Sequence, residues 1–410
     1  MPIRLRPHQE TALKSMQLSH HGQIIVPTGG GKTFIMIQHA KELFEANFKT
    51  VVVVAPRILL ANQLSADFLE HIDNVDVLHV HSGETHHTST TKTDMIEEWH
   101  LGSIKNQIIF TTYHSLHKIT SSPSIEVSVM YCDEAHNACT KNFFNAVSDM
   151  TMKCDQKYFF TATPRISHKH DRGMNNSKVF GHVLESVPAP TLIDNGSIIP
   201  PTIVPFTTSH EVDKKNPHLV HSDAVQDILD GLSVEASSKV LVAVPSSRIL
   251  RNILVETDIL PQLAERGYNV LHITSKFGAY VNKTKVNREK FFETLTKWGK
   301  DPLKKFIVFH YSILSEGINV SGLTHAILLR NLNVVEMAQT VGRVIRLHPK
   351  DARDIASGVI PKGQLSLYRK PTGYVTIPIH RNHGKHTVKR LQRVVDEIFV
   401  KGIPATAYVG

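Results

Sequence analysis

The chain has 410 residues, 41% hydrophobic and 20% charged, with a formal net charge of +9 and a pI near 9.3. That length suits two domains of ordinary size, and no apolar run is long enough to span a bilayer. The start, Met1 to Arg6, lacks the apolar core of a secretion signal. Cys132, Cys139 and Cys154 fit neither a disulfide framework nor a CxxC site, which points to a reducing compartment. The basic balance suits a polyanion partner. His79, His81, His86 and His87 crowd one segment, but their Ser and Thr neighbours read as a solvated loop rather than a metal site.

In chain order, Leu5 to Glu10 precedes an amphipathic helix expected over Thr11 to Leu18. Gln9 reads either as a capping residue or as an amide that pairs with an adenine edge. Gln23 to Val26 reads as a buried strand, and Phe34 to Ala40 as a helix. Between them lies Val26-Pro27-Thr28-Gly29-Gly30-Gly31-Lys32-Thr33. Glycines let backbone wrap an anion without Cβ clashes. The following helix aims free N–H groups and its positive dipole end at the same anion. Lys32 would reach the β/γ-phosphates of a nucleotide and Thr33 would ligate Mg²⁺. The usual loop opens with Gly, where this chain has Val26.

Thr50 to Pro56 is a run of β-branched residues, expected as a central parallel strand buried on both faces. Pro56 and Arg57 follow at the ligand-facing end of such a strand. Arg57 has two open readings, a nucleic-acid phosphate contact or a surface charge. Strands are expected at Val75 to Val80 and Asn106 to Phe110, the latter ending in Thr111 and Thr112. Val127 to Cys132 is a strand that leads into Asp133-Glu134-Ala135-His136. Asp133 would hold Mg²⁺ through water, Glu134 would orient and deprotonate the attacking water, and His136 would sense the γ-phosphate. A strand at Gln156 to Phe160 ends in Thr161-Ala162-Thr163-Pro164, whose two hydroxyls can bond to His136.

These strings resemble the motifs of superfamily-2 helicases of the DExH kind. Asp194 to Pro201 reads as a turn-rich linker, which divides the chain into residues 1–200 and 201–410. The second half repeats the alternation. Strands are expected at Pro201 to Phe206, Lys239 to Val244, Asn269 to Thr274 and Lys304 to His310, with a helix at His221 to Glu235. Ser246, Arg248 and Thr274 sit at strand ends and join Pro56, Arg57, Thr111 and Thr112 as nucleic-acid candidates. Ser312 to Asn319 resembles the family's fifth motif, which puts Gly317 and Asn319 at the nucleotide; many relatives have Asp where this chain has Asn319. Gln339-Thr340-Val341-Gly342-Arg343-Val344-Ile345-Arg346 resembles the sixth. Arg343 and Arg346 are three apart, hence on one face of a helix, where two guanidiniums can neutralise phosphoryl oxygens. Tyr374 to Ile379 reads as a strand and Lys389 to Val400 as a helix.

The resemblance runs from Arg6 to Arg346 and is most similar to phage helicases of the UvsW kind and to the helicase part of type I and III restriction enzymes. It implies an α/β chain of two tandem RecA-like domains, each a mainly parallel sheet flanked by helices. It implies ATP and Mg²⁺ as cofactors, with Arg6 and Gln9 at the nucleotide, Gln339 and both arginines in catalysis, and Thr161 and Thr163 in coupling. It further implies a nucleic-acid partner, DNA rather than RNA and single-stranded or branched, no membrane partner, and the cytoplasm of a bacterium or virus-infected cell. Two rivals stay open. One is a translocase that moves on duplex without unwinding it; the other is a binding or annealing module with a vestigial ATPase.

Overall fold

The computed structural model describes residues 5–46, 49–83, 85–211, 213–232, 238–311, 322–380 and 384–409. Contacts divide the chain into two compact units, residues 1–188 with 404–410, and residues 189–403. The division lies at 188/189, where the sequence suggested 200/201, and it returns the last residues to the first unit.

The first unit is built on strands β1 (His21–Ile25), β2 (Thr50–Ala55), β3 (Val75–Val80), β4 (Asn106–Thr112), β5 (Val127–Cys132), β6 (Cys154–Thr161), β7 (Arg165–Ile166) and β8 (His182–Ser186). Seven of them form one sheet in the order β3-β4-β2-β5-β6-β1-β8, and every pairing in it is parallel. β2 is buried at all its positions, as expected of a β-branched run covered on both faces. Helices Pro7–Leu18, Lys32–Ala46, Ile58–Leu69, Thr93–Gly102 and Lys141–Lys153 connect the strands or cover them.

The first helix starts at Pro7, four residues before the expected Thr11. Proline suits the first helical position because its missing N–H would be unpaired there anyway. Gln9 Oε1 then accepts from the Arg6 backbone N–H at 2.8 Å and closes the helix start.

The second unit has β9 (Pro201–Thr208), β10 (Lys239–Ala243), β11 (Asn269–Thr274), β12 (Gly278–Val281), β13 (Thr284–Val286), β14 (Phe306–His310), β15 (His325–Leu328) and β16 (Gly373–His380), in the order β13-β12-β11-β14-β10-β15-β16-β9. The pairings β11–β12 and β12–β13 are antiparallel, and strands β12 and β13 were not expected; the other pairings are parallel. β9 carries Pro201 and Pro205 and lies at the sheet edge, where a missing donor breaks no ladder. Two expected helices are shifted. The one begun at Pro217 runs to Gly231. The last begins at Lys385, ends at Val395 and continues as a π turn over Asp396–Val400. Of the expected apolar face Leu391, Val394, Val395, Ile398 and Phe399, the first four are buried and Phe399 is half-buried.

The final strand, β17 (Ala407–Tyr408), pairs with β7 in the first unit. Ala407 N donates to Pro164 O at 3.0 Å and Val409 N to Ile166 O at 2.8 Å. Tyr408 stacks on His168 and Val409 packs on the first unit's core. Two backbone bonds at about 1 kcal/mol each and a half-covered Val set the scale of this element. Deleting residues 404–410 should therefore lower unfolding stability by about 2 kcal/mol, read from urea midpoints; an unchanged midpoint would show that the strand contributes nothing.

Candidate active site

Strands β5, β6 and β1 are neighbours and parallel, so their C-terminal ends lie side by side. Ligands bind at such ends in open α/β sheets. From β1 the chain enters the glycine loop. Val26, at the place of the usual first Gly, is fully buried, and its N–H continues the ladder to Thr161 O at 3.0 Å. The side chain is part of the core there, and the turn itself is made later, by Gly29 at φ 88° and Gly31 at φ 81°. Lys32 and Thr33 begin the helix Lys32–Ala46. A Cβ on Gly31 would lie 2.3 Å from Gln9 Nε2. That amide donates to Gly31 O at 3.2 Å, and His8 Nε2 bonds with Gly30 O at 2.7 Å. Gln9 thus braces the loop directly, a contact its position upstream could not reveal.

Asp133 follows β5 and is buried, its N–H bonded to Val54 O and its carbonyl to the Tyr113 hydroxyl. Its Oδ1 is buried with no hydrogen-bond partner. Burial first, and then the Glu134 charge, push its pKa up to about 7 against the pull of Lys32. Glu134 has φ 46° and ψ 52°, the left-handed region that only Gly enters freely. Non-glycine residues held there cluster at functional sites. Glu134 Oε1 lies 3.4 Å from Lys32 Nζ, both side chains nearly buried. His136 Nδ1 is 3.0 Å from Thr161 Oγ1, 3.5 Å from Thr163 Oγ1 and 3.5 Å from Glu134 Oε2. The loop, the two acids, the histidine and both threonines therefore form one contiguous set. Asp133 Oδ1, Thr33 and the open loop backbone suit a Mg²⁺–triphosphate, since Mg²⁺ keeps several waters and needs few protein oxygens.

The second unit carries the helix Val334–Val344 with Gln339 and Arg343 buried on it. Arg346 lies beyond the helix end, so the expectation that Arg343 and Arg346 share one helical face is not met. Burial lowers the Arg346 guanidinium to about 10, still cationic at neutral pH. Among the described residues, Gln339 Nε2 and Arg346 Nε are buried polar atoms with no hydrogen-bond partner. His310, at the end of β14, has both ring nitrogens in that condition. Burial, Arg343 and Arg330 hold its pKa near 3, so it is a neutral imidazole beside the arginines. Only its place at a strand's end could have signalled it. Gly317 and Asn319 lie outside the described residues.

Of the nucleic-acid candidates, Arg57 and Arg248 are exposed and Pro56 is half-buried. Three others are corrected. Thr111, Thr112 and Thr274 are buried, and their hydroxyls bond to Val80 O, Ser115 N and Phe277 N. They hold strand ends and are not presented to a ligand. Ser246 is a helix cap, accepting from Ile249 N at 3.1 Å.

Asp133 also yields a stability test. An acid with a raised pKa stabilises the fold below its unfolded value, and that contribution is lost as pH rises towards about 7. At pH 8 the fold holds an ionised carboxylate with one oxygen unpartnered. Asp133→Asn should raise the Tm of the metal-free protein by roughly a few degrees at pH 8, and by less at pH 5. A lower Tm at pH 8 would contradict this account of the site.

Residues 2–166 match the family described as type III restriction enzyme, res subunit. A comparison with curated proteins finds no match. Among solved structures, the ATP-dependent type ISP restriction-modification enzyme LlaBIII bound to DNA aligns with TM-score 0.70 and 16% identity, over 100% of this chain and 32% of that one. The related LlaGI, a nuclease-deletion mutant with a DNA substrate mimic, gives 0.64 and 19% over 98% and 30%. This chain thus spans about a third of the length of those enzymes. Dbp5 of S. cerevisiae, bound to RNA and ADP BeF3, gives 0.58 and 13% over 98% and 89%. Residues 2–166 are accordingly a domain of the superfamily-2 helicase type, and the chain has the fold of two tandem RecA-like domains.

Proposed function

We propose that this chain hydrolyses ATP to move along nucleic acid, DNA in preference to RNA, and that it unwinds or remodels branched duplexes. The observation that carries the reading is the set at the ends of β5, β6 and β1, with Lys32 Nζ 3.4 Å from Glu134 Oε1 and Asp133 beside them. Lys32 exchanges Glu134 for the β/γ-phosphates. Glu134, released, orients the attacking water and takes its proton. Thr33 and Asp133 would hold Mg²⁺, which would supply neutralisation of charge on the phosphates. His136, bonded to Thr161, passes the state of the site to the segment after β6. Arg343 and Arg346 neutralise the transferring phosphoryl oxygens, a role worth about 10³–10⁵ in rate elsewhere.

DNA is favoured because the family match and the two highest-scoring structures described are restriction-enzyme proteins, both in complexes with DNA or its mimic. The net charge of +9 supports backbone recognition with steep salt dependence. The deciding experiment measures ATP turnover with single-stranded, duplex and branched DNA and with RNA, next to a strand-displacement assay. Strong stimulation by branched DNA with displacement is expected; RNA as the better stimulant would reverse the preference.

Two substitutions test the chemistry. Glu134→Gln should leave ATP binding intact and lower turnover by about 10²–10⁴. Loss of ATP binding in that variant would show a structural role instead. Arg343→Ala should cut nucleic-acid-stimulated turnover while nucleotide affinity stays within about twofold. Wild-type turnover in a folded Arg343→Ala chain would remove the arginine from the mechanism.

A further inference from the structure

Past the arginine helix, the chain returns through Arg369, Lys370 and Gly373 to the end of that same helix. The Lys370 side chain is buried at 6% exposure. Its ammonium donates to Val344 O at 2.5 Å, Arg346 O at 2.8 Å and Leu323 O at 2.5 Å. Val344 is the last residue of the helix, and its carbonyl is one of those a helix cannot satisfy internally. Leu323 comes shortly after Asn319 in sequence, the end of the stretch that resembles the fifth motif. One charge therefore ties the helix end to Leu323.

The holder of this lysine is itself built. Asp351, fully buried, accepts from the backbone N–H of Arg369 and of Lys370 and from the Arg369 guanidinium. A Cβ on Gly373 would lie 2.3 Å from Val344 O, so only glycine lets this backbone come so close to the helix end. The linker joins the same point. Ile199 N donates to Ile345 O at 2.9 Å, and Gly373 N to Pro200 O at 3.0 Å. A buried ammonium is costly to maintain. A leucine or methionine would fill the space but leave three carbonyls without their donor.

We propose that Lys370 is a positioning residue for the Arg343–Arg346 pair, fixing the end of the helix Val334–Val344 and the Arg346 backbone to Leu323. The inference rests on the reading of those arginines given above. Lys370 touches no reacting atom in this role. It acts by holding guanidiniums where a misplacement of about 1 Å can cost about 10²-fold in rate.

The test uses the full chain with saturating single-stranded DNA. Lys370→Met should lower kcat by about 10- to 100-fold, with KM for ATP and DNA affinity within about twofold of wild type. Lys370→Arg, which keeps a charged multiple donor, should recover most of that loss. The double variant with Arg343→Ala should be no slower than Arg343→Ala alone, because the two losses are one loss. Should Lys370→Met fail to fold, Asp351→Asn keeps the ammonium and loosens its holder, and the same non-additivity with Arg343→Ala is expected. Wild-type kcat in the folded variant, or losses that multiply with that of Arg343→Ala, would overturn the inference. A wild-type chain without any ATPase would instead overturn the functional reading, and this inference with it.

Discussion

The site depends on three parallel strands ending together. β5, β6 and β1 are adjacent, with Cys132 beside Phe159 and Ile25 beside Thr161 in register. A parallel sheet buried on both faces cannot slip by one residue without turning its apolar side chains over. The register therefore fixes, to within one residue, which groups emerge at the end. Asp133 and Glu134 emerge from β5, the threonines from β6, and the glycine loop from β1. The core is thus what aligns the candidate site, drawn from distant parts of the chain.

That alignment is held against local cost. Glu134 sits in a left-handed conformation, and Asp133 keeps a buried oxygen without a partner. Gln339, Arg346 and His310 carry similar orphan atoms in the second unit. Buried polar groups are normally satisfied. Each unit by itself thus gathers such groups, one at its strand ends and the other around its arginine helix. Lys32 and Glu134 meet each other in this structure. Phosphate would replace one half of that pair and leave the other half for water activation.

Much of this was legible in sequence because the signals are local. The strands Val75–Val80, Val127–Cys132 and Asn269–Thr274 fall where the apolar runs place them. The glycine loop and the two acids announce themselves through residue type and order. What escaped were the long-range partners. Gln9 could not be seen to bond to Gly31, nor Lys370 to Val344, because no local spacing encodes a contact across the fold. Thr111, Thr112 and Thr274 were misread for a related reason. A hydroxyl at a strand end looks the same whether it faces a ligand or closes the turn behind it, and only burial separates the two.

The domain boundary shows the same limit in another form. Composition reveals the turn-rich linker, but not that β17 goes back to pair with β7. The chain thus passes between its units twice, at 188/189 and at 403/404. On the second unit's side both passages are anchored, because the helix Ala189–Asp194 packs against the turn Asp396–Val400. On the first unit's side the returning strand lies on the segment directly after Thr161 and Thr163, where Pro164 O accepts from Ala407 N. A unit cut at the linker alone would lose that strand and bare the edge of β7. The threonines that contact His136 are followed by backbone that the other end of the chain completes. What looks like an N-terminal domain in sequence is therefore a compact unit that also takes in residues 404–410.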